Sequence, residues 1–70
     1  MSLQGGRGMI VDARRDLLAR WDRVTDVWDD ANARAFEKRY IEPVDRHVRQ
    51  AAEAMEKLAA VLDRARRECE

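Results

Sequence analysis

From Val44 to Cys69, apolar side chains recur at alternating intervals of four and three residues: Val44, Val48, Ala51, Met55, Leu58, Leu62, Ala65 and Cys69. A helix returns to the same face at that interval, whereas a strand does so every second residue. The repeat runs for more than three heptads, with Ala52, Ala59 and Val61 beside it, and is regular enough for coiled-coil packing. From Met9 onward the chain has no glycine and a single proline, and it is rich in the helix formers Ala, Arg, Glu and Leu. Strand-like alternation is absent, so the sequence predicts an all-α fold.

A second, shorter stripe precedes this one. Ile10, Leu17, Trp21, Val24 and Trp28 share a face, Leu18 and Val27 widen it, and Arg14 is the one polar residue in its register. Between the stripes, Asp29 and Asp30 are N-cap candidates, because a short carboxylate accepts the unpaired amide hydrogens that open a helix. Asp26, Asp29 and Asp30 also place negative charge at the positive end of a helix dipole. We therefore expect an antiparallel helical hairpin, with a helix over about 9–27, an elbow at about 28–30 and a helix over about 31–69. One continuous helix is the alternative, since the Trp21–Val24–Trp28–Ala31–Ala35 spacing permits it and no Gly or Pro interrupts it. The hairpin is favoured by the aromatics: Trp21, Trp28, Phe36 and Tyr40 cluster around the elbow and would converge there as a core. Pro43 removes a backbone donor and crowds the preceding turn, so a bend is expected near Arg39 to Glu42. Residues 1–8, with three glycines and little to bury, read as a disordered lead to a single domain over 9–70.

The expected arms are unequal. The first, at about 18 residues, spans roughly 27 Å and the second, at about 40 residues, roughly 60 Å. A neighbour from the same chain would reach only to about Val48, leaving Ala51, Met55, Leu58, Leu62, Ala65 and Cys69 as a bare interface. So small a chain is marginal without a staple or a partner. One cysteine excludes an internal disulfide, and one Cys with one His does not make a zinc site. The expected partner is a second copy or a related helical hairpin, the long arms pairing antiparallel into a four-helix bundle.

The segment Trp28-Asp29-Asp30, followed by Ala31, Ala33, Phe36 and Tyr40, resembles the elbow of the WXG family of small helical hairpins, the ESAT-like proteins exported by type VII secretion. That resemblance implies a dimerising hairpin that acts as an exported substrate or partner. Asp30 stands where the family has glycine, and no Tyr follows Tyr40 to form the family's C-terminal export signal.

Other functions find little in the sequence. Charged residues make up 40% of the chain, but 14 basic and 14 acidic groups are finely interspersed, unlike the one-sided basic face of a nucleic-acid binder. No apolar run is long enough to span a membrane, and no secretory signal is recognisable. The cytoplasm is the expected compartment, with export lacking a cleavable signal peptide as the alternative. His47 has only Asp45 and Arg46 near it in sequence, too close along a helix to orient it as a base. The acidic elbow lacks the ligand number and glycine of a calcium loop. No catalytic, cofactor or metal residue is expected, and the chain is read as a non-catalytic interaction module.

Overall fold

The computed structural model describes residues 3–69. Those residues form a helical hairpin without a strand: α1 (Leu3–Thr25), then α2 (Ala31–Phe36), a π-helical turn (Glu37–Ile41) and α3 (Glu42–Cys69), the last three continuous. Three contacts fix the antiparallel register. Arg7 reaches the Ala52 carbonyl and Glu56, Arg14 pairs with Asp45, and the Trp21 indole donates to Glu37.

The elbow forms where α1 loses its ladder. Asp26 and Trp28 still donate to Asp22 and Val24 carbonyls, but Val27 bonds only three residues back, to Val24, and the helix ends. The Thr25 hydroxyl donates to the Asp22 carbonyl at 2.9 Å, competing for the last turn. Asp30 then takes an extended backbone and caps α2, its Oδ1 accepting from the Ala33 amide at 2.9 Å. The cap falls on the second of the two predicted aspartates, while Asp29 pairs with Arg34 at 3.2 Å. No residue of the elbow needs a positive φ, which explains how the chain turns here without glycine. The first helix thus ends at Thr25 rather than near residue 27, and the connection starts two residues earlier than the sequence suggested.

Pro43 makes its mark one turn upstream. Since proline cannot donate, the winding just before it is free to widen, and the Glu42 amide bonds to the Glu37 carbonyl five residues back. Where the sequence predicts a bend near Arg39 to Glu42, the structure has this π turn.

The N-terminal segment departs from expectation. Met1 and Ser2 lie outside the described residues, but from Leu3 the chain is helical, despite its glycines, rather than a disordered lead. Glycine disfavours a helix by about 1 kcal/mol relative to alanine, so this segment is ordered by packing and not by propensity. Gly6 lies against Met55, where a side-chain carbon would sit 3.6 Å from the Met55 methyl. Arg7 donates its Nε to the Ala52 carbonyl at 3.3 Å and pairs with Glu56 at 3.4 Å. With 23 residues, α1 is about 35 Å long and covers α3 well beyond Val48.

Trp21, Ala33 and Ala52 are the buried core residues. The molecule extends 58 × 17 × 12 Å. Its radius of gyration is 16.9 Å. A compact chain of this length would have about 11 Å.

Candidate interaction surface

Two neighbouring stripes on α3 have different fates. Asp45, Val48, Ala52, Met55 and Ala59, in line with Ile41 of the π turn, face α1 and are half-buried or buried. Advancing by about 100° per residue, Val44, Ala51, Leu58, Leu62 and Ala65 fall about 60–120° to one side of that line. These five are exposed, Val44 at 45%, Leu58 at 49% and Leu62 at 55%. His47 and Cys69 lie in the same sector, Ala54 and Val61 extend it to about 160°, and all four are exposed. No Asp, Glu, Lys or Arg of α3 falls within it.

Helix handedness extends this sector onto α1. Arg7, Val11 and Arg14 share one edge of the hairpin with Arg49 and Glu53, around a shallow groove. The opposite edge of α1 therefore lies on the same side as the open α3 sector, and it carries Met9, Ala13 and Val24. Met9 is 61% exposed and Val24 41%. One edge of the hairpin is thus bridged by charge; the other is apolar along α3, while on α1 it mixes Met9, Ala13 and Val24 with Arg20, which pairs with Asp16.

This outcome redraws the predicted interface. Met55 is half-buried against α1 and Ala52, not Ala51, is the buried alanine. Ala51, Leu58, Leu62, Ala65 and Cys69 remain open. The bare surface is a stripe along α3 as far as Ala59 and the whole circumference from residue 60 to 69, because α1 is longer than predicted and covers only one of two apolar stripes.

At the elbow, the four predicted aromatics do come together. Trp21 stacks on Phe36 with centroids 5.3 Å apart and meets Trp28 edge-on at 6.1 Å. Phe36 also contacts Trp28 at 6.0 Å and Tyr40 at 4.9 Å. Trp21 is buried, its Nε1 donating to Glu37 Oε1 at 2.6 Å. Trp28 is half-buried, while Phe36 and Tyr40 are 39% and 48% exposed. The cluster is therefore a one-sided stack and not a sealed plug: a single layer of helices has nothing to place over its outer rings. Tyr40 leads directly into Val44, so the aromatic patch continues the open α3 stripe.

The cross-helix polar pairs were missed at the sequence level. Arg14, the lone polar residue of its stripe, was the available signal, since an arginine on a packing face calls for a carboxylate opposite, here Asp45. Asp45 also lies 3.6 Å from Arg49, and Asp63 3.6 Å from Arg67, each pair four residues apart on one helix face. Glu42 with Arg46 and Glu53 with Lys57 do not close to ion-pair distance among the described residues. His47 is exposed and Cys69 is an exposed free thiol. Among the described residues no group of His, Cys, Asp and Glu could hold a metal ion, and no helix is long and apolar enough to cross a membrane.

Comparison with protein-family models, curated proteins and solved structures found no match.

Proposed function

We propose that this chain is a non-catalytic helical interaction module, one layer of an assembly whose other layer is helical and comes from another chain. The observation that carries this reading is the charge-free sector of α3, which α1 leaves open from Val44 to Ala65. Stable domains bury each helical stripe against a second layer. A contiguous exposed apolar stripe of this kind is the mark of an interaction surface.

Sedimentation equilibrium combined with binding of an anilinonaphthalene sulfonate dye tests this, on the native chain and on Leu58→Asp. The native chain should either associate or, if monomeric, bind the dye. The variant should lose whichever property the native chain shows and keep its helical circular dichroism. A folded monomer that ignores the dye, with Leu58→Asp indistinguishable from it, overturns the reading.

A second reading, an exported WXG-like hairpin, is favoured by the placement of Trp28 at the elbow in contact with Phe36. Its test is the detection of the protein in the medium of cells with an active type VII export system, and retention inside such cells would sink it.

A further inference from the structure

We infer that the layer covering the open face is a second copy of this chain, stacked with its α3 antiparallel to the first. This rests on the interaction-module reading and adds the identity and orientation of the partner.

Area is the first argument. The chain exposes 5731 Å². A compact monomer of its mass exposes about 4,500 Å², so roughly 1,200 Å² is in excess. A specific interface removes about 800 Å² from each partner. One second copy thus removes about two thirds of that excess. The sector itself carries no charge, so stacking it on its own image brings no like charges face to face at its centre.

Volume decides the orientation. Towards the elbow the open side carries the small Ala51 and Ala54; towards the free end it carries the larger Leu58 and Val61. A parallel pair would set alanine on alanine and leucine on leucine, giving a void beside a crowded layer. An antiparallel pair sets Ala51 at the height of the partner's Val61 and Ala54 at that of the partner's Leu58, so that large residues meet small ones in these layers. It also joins two surfaces that the hairpin leaves open. The last turns of α3, exposed from residue 60 onward, come to lie over residues 43–52 of the partner, where Val44 and Ala51 are uncovered.

The native Cys69, exposed at the end of α3, provides the test. In the antiparallel pairing Cys69 falls opposite the partner's Pro43, so the two thiols are about 40 Å apart along the helices. In a parallel pair they would be neighbours, on helices 8–10 Å apart, with labels below about 20 Å. The chain is labelled at Cys69 with a nitroxide, its mass is measured by sedimentation equilibrium, and the label distance by pulsed electron paramagnetic resonance. A mass of twice 8.2 kDa with a distance near 40 Å, reverting to monomer in Leu58→Asp, is expected. A dimer with labels below about 20 Å overturns the antiparallel arrangement. A monomer that binds the dye overturns the second copy while leaving the interaction module standing. A monomer that does not bind it overturns both.

Discussion

The two ends of the hairpin are held by different means. At the elbow, Trp21 is buried under Phe36 and Trp28, its indole N–H is satisfied by Glu37, and Asp30 caps the helix that follows. At the free end, among the described residues, α1 meets α3 mainly through Leu3, Gly6, Met55 and Ala59, and the ion pair of Arg7 with Glu56 is largely open to water. Aromatic rings each bury a large area and define the elbow geometry. Small residues allow close approach but bury little, and exposed pairs are worth at most about 1 kcal/mol. The elbow therefore holds the hairpin closed, while the free end depends on what is added to it.

The contrast can be broken most forcefully at Trp21. Trp21→Ala should cost about 3–5 kcal/mol, enough to abolish a cooperative thermal transition in so small a chain. A melting curve close to the native one would mean that the elbow is not the stabilising end. Asp30→Ala removes the cap and should cost about 1 kcal/mol, visible as a lowered melting temperature and faster amide exchange at Ala33 and Arg34. Gly8→Ala acts at the other end with the opposite sign. An added methyl there meets no atom within 4 Å, so the change should stabilise α1 by up to about 1 kcal/mol. Hydrogen exchange should slow over the first turns of α1 and stay unchanged at the elbow. If exchange slowed equally at both ends, the hairpin would behave as one cooperative unit and the distinction drawn between them would fall.

Much of the elbow could be read in advance from local chemistry. The Asp30 cap, the convergence of Trp21, Trp28, Phe36 and Tyr40, and the disturbance ahead of Pro43 each follow from residue types acting on near neighbours in sequence. The free end was hidden for the complementary reason. Gly5, Gly6 and Gly8 look like a flexible lead when judged by propensity, and only the contact of Gly6 with Met55 and the reach of Arg7 show why they are helical. The choice of Ala52 over Ala51 as the buried alanine was equally invisible. A helix with apolar residues across more than a third of its circumference offers two stripes, and sequence periodicity does not say which one a neighbour will take.

The π turn at Glu37–Ile41 makes that choice. It absorbs one more residue than an α-helical turn would, delaying the phase of everything after it by about 100°. Wound as a regular helix, the same chain would rotate α3 until the Ala51 and Leu58 stripe faced α1 and the Ala52 and Val48 stripe turned towards the charged edge. Losing one residue from the turn would instead leave the phase untouched, since the wide turn and the extra residue cancel. Chain length in this short stretch thus works as a selector switch: it sets which stripe the hairpin keeps for itself and which it presents outward.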